Sequence, residues 1–76
     1  MPIFCPDKIK DARLDAGLSR RDLAFAIGRS PVAIKSYETG FREPPAGALG
    51  LLARALSVPV DRFYIADHEV CRAAAG

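Results

Sequence analysis

The stretch RRDLAFAIGRSPVAIKSYETGFR, residues Arg20 to Arg42, decides how this chain folds. Leu23, Ala24 and Ile27 fall at i, i+1 and i+4, which places them on one apolar face of a helix. Gly28 follows, a residue able to take positive φ where a helix must end. Ser30-Pro31 then reads as an N-cap and a first-turn proline, a paired start signal for a second helix. That helix carries Ile34 and Tyr37 inward, three residues apart, and stops at Gly40. Two helices this short, joined by a tight glycine turn, leave the outer face of the second free to meet a partner.

The flanks extend the pattern. Pro6-Asp7 opens a first helix, with Asp7 as its cap and a charge suited to the helix dipole. Ile9, Ala12, Arg13 and Ala16 form its inward stripe, one arginine among apolar residues. Gly17 ends it and Leu18 drops into the core. Ser19 caps the next helix, with Asp22 three positions on as the acidic form of a capping box. After Gly40 the prolines of FREPP force an extended connector. A fourth helix runs from Pro45-Ala46 to Leu56 or Ser57, with Leu49, Leu52, Ala53 and Leu56 inward. Gly47 and Gly50 weaken it by about 1 kcal/mol each relative to alanine, and composition rather than close helix approach is the favoured reason. VDRFY reads as a short fifth helix with Val60, Phe63 and Tyr64 on its apolar side. The final dozen residues are helix-compatible without a clear stripe. The expected architecture is all-α, a compact bundle of five short helices, with a leader at 1–6, the domain at 7–65 and a tail at 66–76.

At 76 residues the chain makes one small domain, and such a domain buries only roughly 60% of its unfolded surface. Half of its residues are hydrophobic and 26% charged, which suits a folded chain rather than a disordered one. No apolar run has the length of a membrane span, and MPIFCPDKIK is too short and too charged for a signal peptide, so a cytoplasmic location is expected. The net charge of +2 says little by itself. Its placement says more: Arg20, Arg21, Arg29, Lys35 and Arg42 gather in the central stretch, as a polyanion reader requires and as solvated charge also produces. Cys5 and Cys71 lie near opposite ends without metal-ligand spacing. They are expected to be free thiols, since a bridge would need the two termini to meet. His68 has no neighbouring ligand set and is expected in solvent. No nucleophile–base pair, carboxylate dyad, phosphate loop or metal set appears, so an enzyme is not expected and no cofactor is implied.

Taken in order, LDAGLS before the second helix, LAFAIGRS at the turn and YETGFREP closing the third resemble the Cro/C1-type (XRE) helix-turn-helix domain. The likeness covers residues 8 to 64, and LARAL followed by VDRF matches the usual fourth and fifth helices. It implies a lambda repressor-like fold and a transcriptional regulator, a repressor or controller type that binds double-stranded DNA as a homodimer. It also implies a site. Arg20 stands where a glutamine usually grips a phosphate, and Arg29, Ser30 and Arg42 match further backbone-contacting positions. Pro31, Val32, Lys35 and Ser36 occupy the face that enters the major groove. Pro31 and Val32 offer only apolar contact, to a thymine methyl, against the plainer reading of a helix start and a surface valine. Polar readout then falls to Lys35 and Ser36, and DNA shape carries much of the discrimination. Arg13 and Glu38 match a structural ion pair that locks the third helix against the first. Phe63, Tyr64 and Ile65 match the dimer surface, although Phe63 also fits the core.

Leu14, Phe25 and Phe41 depart from the family pattern, since polar residues usually stand there. The expectation is that the leader (Ile3, Phe4) or the tail covers Leu14 and Phe25, and that Phe41 packs at a dimer interface or along a sugar edge. The alternative function is an antitoxin or coactivator-type interaction module whose third helix touches protein instead of DNA.

Overall fold

A computed structural model describes residues 1–71. Among them are four α-helices: α1 (Pro6–Asp15), α2 (Arg20–Ile27), α3 (Pro31–Thr39) and α4 (Ala46–Leu56). The expected fifth helix is a single 3-10 turn, Val60–Phe63, because Pro59 and the extended Tyr64 leave too few residues to close an α-helical ladder. The chain ends add a two-residue antiparallel pair, β1 (Ile3–Phe4) and β2 (Tyr64–Ile65), with Ile3 opposite Ile65 and Phe4 opposite Tyr64.

Local signals account for the centre. The Ser19 hydroxyl accepts from the Asp22 N–H at 3.0 Å, and the Ser19 N–H donates back to the Asp22 carboxylate at 3.0 Å, closing the capping box. These bonds, the Ser19 N–H foremost, hold the Asp22 carboxyl below the usual carboxylate range, with the Arg21 charge assisting. Gly28 ends α2 at φ 68°, and the Arg29 N–H reaches back to the Ala24 carbonyl at 2.9 Å. The Ser30 hydroxyl accepts from the Ala33 N–H at 3.1 Å, and Pro31 occupies the first turn of α3. Ser57 ends α4 in the left-handed region at φ 58° without being a glycine.

The core gathers one face from each helix. Ile9, Leu23, Ile34, Leu52 and Phe63 are wholly buried, and Ala12, Ala24, Ile27, Tyr37, Ala48, Leu49, Ala53 and Leu56 complete the cluster. Leu18 packs against it half-buried. Ala16, expected on the inward stripe, is exposed: α1 stops at Asp15 and Ala16 is already its C-cap. Val60 faces outward at the start of the 3-10 turn. A Cβ at Gly47 or Gly50 would meet nothing within 4 Å, which removes close packing as the reason for either glycine.

Both chain ends correct the expectation. The cap of α1 is Cys5, not Asp7, and Pro6 is the first helical residue. Cys5 is not a free thiol. It is bonded to Cys71, with Cα atoms 5.5 Å apart, because β1 and β2 bring together ends that lie 66 residues apart in the chain. The Cys5 N–H donates to the Phe63 carbonyl at 2.8 Å and continues the strand pairing into the cap. The Phe4 ring meets the Tyr64 ring edge-on, centroids 5.9 Å apart. Residues 66–69 form a turn, closed by the Glu69 N–H to the Ala66 carbonyl at 2.9 Å, and 70–71 are irregular, so no helix forms over 66–71. The rest of the tail, 72–76, lies outside the described residues. His68 is exposed.

Leu14, Phe25 and Phe41 are 57%, 89% and 82% exposed. Neither the leader nor the described part of the tail, 66–71, covers Leu14 or Phe25, because these segments are engaged with each other and with the 3-10 turn.

Candidate nucleic-acid interface

The helix α3 has two faces. Ile34, Tyr37 and Glu38 point into the protein, and Pro31, Val32 and Lys35 point out, with Val32 73% exposed. Ser36 lies at the edge, half-buried, its carbonyl accepting from the Arg42 N–H at 3.2 Å. That bond ties the loop after Gly40 to the helix, so Arg42 keeps a fixed relation to the outer face. Arg29 and Ser30 are exposed at the opposite end of α3. Ser30 uses its oxygen as the cap, and its O–H proton stays available to a partner.

The charge on the outer face of α3 is one-sided, the exposed acids Asp22 and Glu43 lying outside the helix. Lys35 is the outer-face charge of α3, and Glu38, the one acid in the helix, is buried. Arg29, Arg42 and Arg21 are exposed around it, and Arg20 is partly so. A ridge that is apolar at its start, cationic at its middle and flanked by guanidinium groups suits a groove between two rows of phosphates.

The ridge is braced from behind. Arg13 donates from Nε to Glu38 Oε2 at 2.6 Å and from Nη2 to Oε1 at 3.2 Å. Its Nη1 donates to the Leu18 carbonyl at 2.8 Å. The pair is buried and fully hydrogen-bonded, the condition under which a desolvated ion pair can be kept. It connects the middle of the protein to the last turn of α3.

Arg20 has a second tie that nothing local announces. Its Nε donates to Glu38 Oε1 at 3.0 Å. The sequence separation is 18 residues, and only the packing of α2 against α3 brings the two side chains together. Arg20 therefore belongs at once to the brace and to the exposed rim. Arg21, beside it, is an exposed cation that motif reading alone does not single out.

Of the residues expected at a dimer surface, Phe63 and Ile65 are core residues here. Phe63 fills the space under the 3-10 turn, and Ile65 faces inward from β2, so neither has surface to offer. Phe41 and the half-buried Tyr64 keep exposed area. Among the described residues no helix is long and apolar enough to cross a membrane.

Residues 9–63 match the sequence model of the helix-turn-helix family. Among solved structures the chain is similar to the restriction-modification controller protein C.AhdI from Aeromonas hydrophila, with 26% identity and a TM-score of 0.73 over 76% of this chain and 88% of that one. It is similar also to the P22 c2 repressor protein, solved in complex with a synthetic operator, with 26% identity and a TM-score of 0.75 over 80% and 92% of the two chains. FeII HppE, solved in complex with a substrate, shares the fold at 23% identity and a TM-score of 0.72 over 79% of this chain and 35% of its own. No curated protein is matched by the sequence.

Proposed function

The chain belongs to the Cro/C1-type helix-turn-helix family, and from that premise we propose that it is a transcriptional regulator that reads double-stranded DNA with α3. The reading places α3 in the major groove, with Pro31 and Val32 against thymine methyl groups and Lys35 and Ser36 on base edges. Arg29, Ser30, Arg42 and the outer edge of Arg20 take phosphates on either side. Two copies bind a near-palindromic operator, their half-sites about 10 bp apart, and Phe41 and Tyr64 supply apolar area to the contact between them. The observation that supports this most is the asymmetry of α3. Its acid is buried and doubly paired while its outer face carries a lysine and apolar residues between exposed arginines.

Salt titration tests the reading. Three phosphate-binding arginines per protomer make about six contacts in a dimer, so log K against log salt should fall with a slope near −5. Arg29→Ala and Arg42→Ala should weaken every duplex alike and flatten that slope. Val32→Ala and Ser36→Ala should change which duplex is preferred and leave the slope in place. A chain whose partner binding is insensitive to salt would instead use the same face on protein, as an antitoxin-like module does.

A further inference from the structure

Glu38 has more positive charge around it than it needs. Arg13 alone meets both of its oxygens, at 2.6 and 3.2 Å, and the Glu38 side chain has no exposed surface. Arg20 nevertheless adds a third hydrogen bond at 3.0 Å, so two arginines surround one carboxylate and the cluster keeps a surplus positive charge. That surplus lies at the surface, because the Arg20 side chain is 35% exposed where Arg13 is buried.

A guanidinium has five N–H donors in one rigid plane. Among the described residues, Arg20 bonds through Nε alone, which leaves the four N–H groups of Nη1 and Nη2 for a partner. With Nε held by Glu38, the direction of the Nε–H bond is set, which restricts where the outer edge of the group can face. Glu38 in turn sits in the last turn of α3 and is fixed by Arg13 to α1. A phosphate taken by the outer edge of Arg20 is thereby two hydrogen bonds from the backbone of the helix that reads the bases.

We infer that Arg20 is a positioning residue: it spans Glu38 and a DNA phosphate with one planar group, and so sets the register of α3 against the sugar-phosphate backbone. The inference rests on the DNA-binding reading above and deepens it. Phosphate contacts carry no sequence information of their own. A phosphate contact rigidly joined to the reading helix does affect discrimination, because a misplaced α3 loses base contacts that need hydrogen-bond geometry. Lysine in the same place supplies the charge without the fork. Its single nitrogen on a flexible stem reaches Glu38 or the phosphate, and does not hold the two in one plane.

The experiment compares the full chain with its Arg20→Lys and Arg20→Gln variants. The probes are a duplex recovered by selection from a random pool and a scrambled duplex of the same composition. Binding is measured over a range of salt, at a temperature where melting curves show each variant folded. The inference expects Arg20→Lys to keep the salt slope yet lower the ratio of selected to scrambled affinity by about tenfold or more, the scale of one charge-assisted hydrogen bond. It expects Arg20→Gln to lower that ratio similarly and to flatten the slope by about 2 in a dimer. An unchanged ratio in Arg20→Lys would overturn it and make Arg20 a plain surface charge. An equal loss on both duplexes would overturn it too, since a merely structural residue acts on both alike. A wild-type chain that binds neither duplex at low salt would remove the DNA-binding reading itself, a result distinct from either.

Discussion

The centre of the molecule, residues 19–42, and its two ends are built on opposite principles. In the centre each element carries its own start and stop: Ser19 with Asp22, Gly28, Ser30 with Pro31, Gly40. At the ends, apart from the Ala66–Glu69 turn and the proline that starts α1, the described residues are placed by partners far away in sequence. Cys5 is a cap because Phe63 accepts its N–H, and Ile3 is a strand residue because Ile65 lies opposite. Local encoding makes the centre robust, and long-range encoding makes the ends dependent on each other. The exposed face of α3 sits in the robust half, as a surface that must keep its shape against a duplex requires.

Four substitutions or treatments press on that contrast, and the largest effect is expected where the centre departs from local encoding. Arg13→Met leaves Glu38 buried with only the bond from Arg20, and removing one partner of a buried pair costs about 3–5 kcal/mol. Chemical denaturation should show that loss, much of the stability a domain of this size has. Reduction of the Cys5–Cys71 bridge comes next. Opening a loop of 66 residues removes about 2–4 kcal/mol, a fall of roughly 10–25 °C in melting temperature. DNA affinity for a single half-site, measured below that melting point, should not change, because the bridge constrains the ends and not α3.

Smaller effects test the helices. Gly50→Ala should stabilise α4 by about 0.5–1 kcal/mol, since the glycine is helical, exposed and has open space where a Cβ would go. A rise in melting temperature checks it. Asp22→Asn should have the smallest effect, visible chiefly in its pH dependence. Because folding lowers the Asp22 pKa, its contribution is present above the ordinary carboxylate range and disappears as pH falls through the lowered value. Melting temperatures of wild type and Asp22→Asn should therefore differ above about pH 5 and converge in acid.

This contrast also explains how much of the structure was legible in the amino-acid sequence. The helix pair α2–α3, its turn and its caps follow from residues a few positions apart, and the resemblance to a known family adds the Arg13–Glu38 pair. The strand pairing, the disulfide and the shrinking of the fifth helix to one 3-10 turn depend on contacts across nearly the whole chain. No periodicity marks a strand two residues long, and two cysteines without spacing read as thiols until the ends are seen to meet. The Arg20 tie to Glu38 was hidden for the same reason: an arginine at a helix start looks like a surface cation wherever its partner is 18 residues away. Phe25 is exposed at 89%, and nothing in the structure explains its place on the outer side of α2.

The central claim is that the outer face of α3 reads bases while the arginines around it hold phosphates. Selection of bound duplexes from a random pool, run in parallel with wild type, Lys35→Ala and Arg42→Ala, tests it most directly. The account predicts that wild type recovers two related half-sites about one helical turn apart, that Lys35→Ala changes the preferred base at matching positions in both, and that Arg42→Ala recovers the wild-type sequence at lower affinity. Recovery of one unaltered sequence by all three proteins, or of no preferred sequence by wild type, would contradict it.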